Sequence, residues 1–187
     1  MERLLHGIDR IILGLRYLFY KSTRNFDFLG SYVQFGKNLS LVGVKSISIG
    51  EKVKIGDYSW LNVVEDMDVR GKITIQKGSD IGRNAVISSS KSIHIGENVL
   101  IAPNVTILDH THAFARTDIP IMFQGITKSR KVIIGSGSWI GTNSVILPGA
   151  KIGKNCVIGC NSTVNSEIPD YSVAVGSPAK VIKKLKN

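Results

Sequence analysis

Cysteine and proline are scarce in this chain of 187 residues, with two of the first and five of the second. Two cysteines, Cys156 and Cys160, cannot build a disulfide framework, and they lack the second pair that a structural zinc site takes. Aromatics make up only 7% of the residues, and 14 acidic groups stand against 24 Lys and Arg, for a formal net charge of +10. A basic balance of this kind suits nucleic acid, an anionic membrane or a phosphorylated ligand. No helix-turn-helix, zinc-finger spacing or aromatic RNA-binding motif is present, which argues against nucleic acid. A long uncharged apolar run is missing too. The N-terminal apolar stretch is interrupted by Asp9, Arg10 and Arg16 and has no small-residue cleavage site. It therefore reads as neither a membrane span nor a secretory signal, and the expected setting is the reducing cytoplasm.

What the chain has in quantity is β-branched aliphatics and 19 glycines, a mix that favours strands and turns over a helical bundle. The aliphatics recur every sixth residue, at Ile49, Ile55 and Leu61, then Ile75, Ile81 and Ile87, then Ile95, Ile101 and Ile107. The series resumes at Ile134, Ile140 and Ile146 and closes at Ile152, Ile158 and Val164. Glycine follows eight of these fifteen positions, and a small or β-branched residue (Val53, Ser59, Ala85, Cys156 and others) sits two before them. Alternation along a strand puts both the aliphatic residue and the small one inside. Three hexapeptides make one triangular coil, and stacked coils bury a continuous aliphatic column. The expected fold is all-β, a parallel β-helix of about five coils, with glycine at turns that other residues adopt only at a steric cost.

Departures from the period mark loops. First positions of successive coils fall at 49, 75, 95, 134 and 152, so against an 18-residue coil the surpluses are 8, 2, 21 and 0. The eight map to residues 62–72, which carry Glu65, Asp66 and Asp68. The 21 map to residues 113–131, directly after Asp109, His110 and His112. A long excursion from so regular a scaffold points to function. Alternation gives 107 and 109 one facing and 108, 110 and 112 the other until the strand ends, so both histidines project outward. Asn84, on the coil below, either reaches an acceptor or caps its own turn. Zinc held by three histidines is the rival reading. His94, His110 and His112 do not promise ligands converging within about 2.0–2.3 Å, and no metal is expected.

The stretches I-G-E-N-V-L-I-A-P-N-V-T-I-L-D-H-T-H, V-I-I-G-S-G-S-W-I-G-T-N-S-V-I-L-P-G-A-K-I-G and I-P-D-Y-S-V-A-V-G-S-P-A-K-V-I-K-K resemble the hexapeptide-repeat acyltransferases with a left-handed β-helix. The resemblance is closest to sugar and polysaccharide O-acetyltransferases of the maltose, galactoside, lipopolysaccharide and colanic-acid type, and covers about residues 47–184. It implies a homotrimer with active sites between neighbouring β-helices and acetyl-CoA as co-substrate. It also implies His112 as the general base, freeing an acceptor hydroxyl to attack the thioester directly. Imidazole titrates near neutral pH, and such help is worth roughly 10²–10⁴ in rate. Asp109 or a backbone carbonyl holds the other ring nitrogen of the base, and His110 is a neighbour or acceptor ligand.

By the same resemblance Trp139, Gly141, Thr142 and Cys160 line the pantetheine arm, and Lys180, Lys183 and Lys184 meet the CoA phosphates. Asn165 and Ser166 depart from the family pattern at the nucleotide end. The loop groups Phe114, Arg116, Asp118, Phe123 and Gln124 are expected to complete an acceptor pocket from a neighbouring subunit. Residues 1–28 read as an amphipathic helical segment with Leu4, Leu5, Ile8, Ile11, Ile12, Leu15, Leu18 and Phe19 at helical spacing. It either caps the open column or lies on an anionic membrane. Residues 29–169 form the β-helix, and 170–187 a strand followed by a short C-terminal helix. N-acetylation of an amino-sugar or small amine is the alternative chemistry, and a non-catalytic β-helix scaffold the alternative class.

Overall fold

The computed structural model describes residues 2–66, 69–127 and 129–185. Asp68 and the side chains of Leu4, Leu5, His6 and Ile8 lie outside the described residues. Three parallel sheets form the three faces of a prism, with seven strands on the first face, eight on the second and six on the third. The hexapeptide step keeps the aliphatics in register, so that Ile81 pairs with Ile55 and Ile101, and Ile87 with Leu61 and Ile107. Each strand is only two to four residues long until the last face. No strand of that length is stable alone, and the stack supplies both the ladder bonds and the buried column. Ile55, Leu61, Ile87 and Ile146 are all buried, and so are the small or β-branched residues two before them, Val53, Ser59, Ala85 and Ser144.

The solenoid is longer than the sequence pattern indicated. A further coil precedes Ile47, built on strands Phe28–Leu29, Gln34–Phe35 and Ser40–Val42. Leu29, Phe35 and Leu41 keep the six-residue step, but an aromatic replaces the aliphatic and eight residues separate Leu41 from Ile49. Six complete coils and part of a seventh are therefore present rather than five. All the surplus residues leave at the same corner, where the third face hands over to the first. The short 3₁₀ turn Val44–Ser46, the antiparallel ribbon Glu65–Asp66 with Val69–Arg70, and the 113–131 loop stack along that one edge.

The repeat glycines do not adopt left-handed backbone, contrary to the expectation. Left-handed φ falls instead on corner asparagines two residues further on, Asn84 at 56°, Asn104 at 62°, Asn143 at 60° and Asn161 at 56°. Asparagine tolerates that region better than other side chains. Glycine is required for a different reason, the closeness of the next coil. A Cβ on Gly56 would stand 2.4 Å from the Arg83 backbone nitrogen, and one on Gly82 2.6 Å from the Ala102 carbonyl carbon.

At the open end lies α1, Glu2–Thr23. Tyr17 and Tyr20 pack against the column, with the Tyr20 ring 4.5 Å from that of Phe35, and Arg16 Nη1 donates to the Phe35 carbonyl at 3.4 Å. The helix thus covers the end that a solenoid must close. At the other end the expected short helix is absent. Ser172–Gly176 and Ala179–Lys184 form an antiparallel hairpin that finishes the second face. Val173, Val175, Val181 and Ile182 are β-branched and suit a pleated edge better than a helical turn.

Replacing Ile140, which is fully buried, by Ala is expected to destabilise the fold by about 2–5 kcal/mol in chemical denaturation. Replacing Ile133, whose side chain is on the outside of the first face, should change it by under about 0.5 kcal/mol.

Candidate active site

Asp109 is the first residue past strand Thr106–Leu108 and turns under the corner, fully buried. Its carboxylate is cradled by the corner of the preceding coil. It accepts from the backbone N–H of Ser90 at 2.8 Å, Lys91 at 2.9 Å and Ser92 at 2.6 Å, and from the Ser89 hydroxyl at 2.7 Å. Successive backbone N–H groups converging on one carboxylate form an anion-binding concavity. Burial alone pushes this carboxyl up. The hydrogen bonds from Ser90, Ser89, His110 and Lys91 outweigh it and hold the group below the ordinary value of 3.8. Asp109 is therefore ionised at neutral pH.

One more donor completes the cradle, His110 Nδ1, 2.9 Å from Asp109 Oδ1. An ionised carboxylate accepts only, so Nδ1 carries the hydrogen and the Nε2 lone pair is left free. The His110 side chain is 13% exposed, and no side-chain nitrogen or oxygen among the described residues is both buried and unpartnered. Nε2, which makes no hydrogen bond, is accordingly open at the surface. This is how a third group orients an imidazole for proton transfer.

His112 stands differently. The alternation holds through 110, with 107 and 109 buried and 108 and 110 half-buried, but by Thr111 the strand has ended and both Thr111 and His112 are exposed. His112 pairs through its backbone with Ile126 in an antiparallel bridge. Thr127 N–H donates to the Thr111 carbonyl at 2.7 Å, and Ala113 N–H to the Gly125 carbonyl at 3.0 Å. The two ends of the loop are thus zipped into a neck, with His112 on it. Of the two expected holders for the ring of His112, Asp109 or a backbone carbonyl, Asp109 is engaged by the adjacent imidazole of His110 instead. The loop's return is pinned to the same point, since Arg130 N–H donates to the Asp109 carbonyl at 2.8 Å and Ser129 shares a hydrogen bond with Ser90. Beyond the neck, Arg116 pairs with Asp118, Gln124 ties the Arg116 and Ile119 carbonyls, and Phe114, Met122 and Phe123 are exposed.

The remaining predicted residues occupy another edge. Gly141, Thr142 and Cys160 lie at the corner between the second and third faces, with Gly141 N–H donating to Ile158 at 2.8 Å. Trp139 projects from the second face between Leu100 and Val157, 44% exposed. Cys160 is exposed, and Lys180 and Lys183 lie on the hairpin at the end of that face. Asn84 belongs to this corner as well. Its amide donates to Asn104 at 3.1 Å, the start of a ladder that continues through Asn143 to Asn161. A whole strand separates it from His110, so within one chain it caps the turn and does not meet the histidines. No group of three or more His, Cys, Asp and Glu among the described residues is placed to hold a metal ion.

The cradle residues Ser89, Ser90 and Ser92 were not singled out in the sequence. The signal was there, in the serine-rich run S-S-S-K-S at 88–92 and in the two-residue surplus of that coil.

A triangular solenoid of hexapeptide coils, with an oriented histidine at the root of its one long loop, defines a class of acyl-transferring β-helices. Two family profiles agree: one described as bacterial transferase hexapeptide matches residues 131–166, and one described as the hexapeptide repeat of succinyl-transferase matches residues 72–109. A protein of Escherichia coli, WbbJ, named for lipopolysaccharide biosynthesis O-acetyl transfer, is 35% identical over 76% of this chain and 74% of its own length. A Mycobacterium tuberculosis protein named as an acetyltransferase is 38% identical over 86% of this chain. The chain spans only 51% of that relative's length. Among solved structures, AntD, an N-acyltransferase from Bacillus cereus in complex with dTDP and 3-hydroxybutyryl-CoA, superposes with a TM-score of 0.77 at 26% identity. It covers 90% of this chain and 88% of its own. The chain belongs to the hexapeptide-repeat acyltransferases, and its β-helix is the left-handed one of that family.

Asp109→Asn replaces an acceptor of several hydrogen bonds by a group that accepts through one oxygen, at an expected cost of about 1–3 kcal/mol at pH 7. A carboxyl depressed in the folded state stabilises it fully above its unfolded value, and that contribution fades as pH falls through the folded value. The gap between wild type and Asp109→Asn in urea denaturation should therefore be constant from pH 7 to about 5 and shrink below about 4.

Proposed function

We propose that this protein is an acetyl-CoA-dependent O-acetyltransferase acting on a sugar hydroxyl in the assembly of cell-surface polysaccharide, as a cytoplasmic homotrimer. The observation that carries the reading is the separation of its two functional edges. The histidines and the loop stand at the corner joining the third face to the first, while Trp139, Cys160, Lys180 and Lys183 stand on the second face and its far corner. One chain cannot bring both to a single substrate. Chains side by side can, with the histidine corner of one facing the second face of the next. The exposed aromatic suits the pantetheine arm and the exposed ammonium groups suit the phosphates of CoA. The 35% identity to the lipopolysaccharide O-acetyl transferase supports a saccharide hydroxyl as acceptor.

In the proposed reaction the acceptor O–H gives its proton to an imidazole nitrogen while its oxygen attacks the thioester carbonyl carbon. The tetrahedral intermediate collapses with cleavage of the C–S bond, and the imidazolium returns the proton to the departing CoA thiolate. The resemblance gives the base role to His112, with His110 beside the acceptor. A second reading moves the base to His110, and the Asp109–His110 contact at 2.9 Å favours it, because only that ring is oriented within its own chain.

Turnover separates these. With His112 as base, His112→Ala loses roughly 10²–10⁴ in kcat and His110→Ala much less. With His110 as base the order reverses, and Asp109→Asn falls with His110→Ala. Turnover kept by both variants would sink both assignments of the base, and a wild type that binds acetyl-CoA in calorimetric titration but turns over no acceptor would leave a non-catalytic binding protein. Trp139→Ala and the double change Lys180→Ala with Lys183→Ala should raise KM for acetyl-CoA at least about tenfold with kcat within about twofold, since they act on binding alone. Amino-sugar acceptors offered in parallel test N-acetylation, which the likeness to an N-acyltransferase keeps in view.

A further inference from the structure

We propose that the outer face of α1 seats on the surface of an anionic phospholipid bilayer. The inner face of this helix is accounted for by Tyr17 and Tyr20, which close the column. On the opposite side Ile11, Ile12, Leu15, Leu18 and Phe19 form one continuous stripe, and they are not incidental surface contacts, since Ile11 is 65% exposed, Leu15 61%, Leu18 59% and Phe19 57%. Scattered apolar residues are ordinary on a surface, but a helical stripe of five large ones is a binding face.

Charge selects the occupant. From Arg10 to Arg24 the chain has four cations and no acidic residue. At 100° per residue Arg16 and Lys21 fall on the two flanks of the helix, between the packed face and the exposed stripe. Arg16 is tethered to the Phe35 carbonyl, and the Lys21 ammonium lies 5.7 Å from the centroid of the Tyr17 ring. An apolar stripe bordered on both sides by cations matches a headgroup layer over acyl chains. A second copy laid on this face would set the same cations against each other on a chain already at +10, so the bilayer is the complementary partner. Clefts of about 500 and 600 Å³ run along the two sides of α1, lined by Tyr17, Leu18 and Tyr32 on one side and Leu15, Phe19 and Lys37 on the other. They leave room for lipid beside the helix. No helix among the described residues is long and apolar enough to cross a membrane, so the contact lies in the interface. In a side-by-side trimer three such helices share one end of the assembly and would bind together, which strengthens a weak single contact.

Flotation with vesicles of phosphatidylglycerol and phosphatidylcholine, against phosphatidylcholine alone, tests this without any acetyl transfer. Wild-type protein should float with the anionic vesicles and not with the neutral ones, and binding should fall as salt rises from 50 to about 500 mM. The double variant Leu15→Asp with Leu18→Asp should bind at least about tenfold more weakly while keeping the wild-type sedimentation coefficient. Lys21→Glu with Arg24→Glu, whose side chains are exposed, should weaken binding in the same direction. Wild type left unbound by anionic vesicles, or equal binding of wild type and the Leu variant, would overturn the proposal. So would a Leu variant that loses the oligomer when wild type binds no vesicles, because the stripe would then be a subunit contact. Acetyl-CoA titration of the same samples reports on the transferase reading separately.

Discussion

Register between coils is the constraint on which everything else in this molecule depends. A strand of two or three residues has no stability of its own, so each must find the strand above and below in the same phase. The six-residue step guarantees it by returning an aliphatic side chain to the same place on every face. Glycine lets adjacent corners approach, and the asparagine ladder ties one corner together from Asn84 to Asn161. Two of the three corners carry no insertion among the described residues. The third absorbs all of them.

That asymmetry decides where the two histidines and the long loop can stand. A site needs groups that leave the repeat, and only the corner between the third and first faces allows the chain to leave. Asp109 shows how the scaffold is used. A strand-end carboxylate folds into backbone N–H groups of the coil before it, and a neighbouring histidine is held by what remains of its hydrogen-bonding capacity. The loop ends are zipped above it through Thr111 and Thr127. The rigid stack thereby fixes an imidazole without spending a flexible segment on the task, as precise positioning on a scaffold requires.

The period, the loops and the two histidines were legible in the sequence because each is a local signal. The first coil falls within residues 29–169 but outside the six-residue series, since Phe35 breaks the aliphatic pattern and the step from Leu41 to Ile49 is eight. The tail Ala179–Lys184 is a strand where a short helix was expected, because its β-branched Val181 and Ile182 extend the second face. The partner of Asp109 was missed for a different reason. Ser89, Ser90 and Ser92 come from the preceding coil, some twenty residues earlier, and only stacking brings them under the corner. Asn84 was drawn towards the histidines by its coil number, but the face it starts is a full strand wide.

In the proposed assembly the histidine edge and the CoA edge of one chain face different neighbours, and the site forms where two chains meet. The most direct measurement is activity in mixed assemblies. One chain carries His110→Ala and His112→Ala, its partner carries Trp139→Ala with Lys180→Ala and Lys183→Ala, and the two are co-expressed and purified together at equal ratio. In a ring of identical interfaces, random mixing pairs intact edges at about a quarter of the sites, so about a quarter of wild-type turnover at low acetyl-CoA should return. Activity no greater than the sum of the two separate variants, in assemblies shown to contain both chains, would contradict a site shared between subunits.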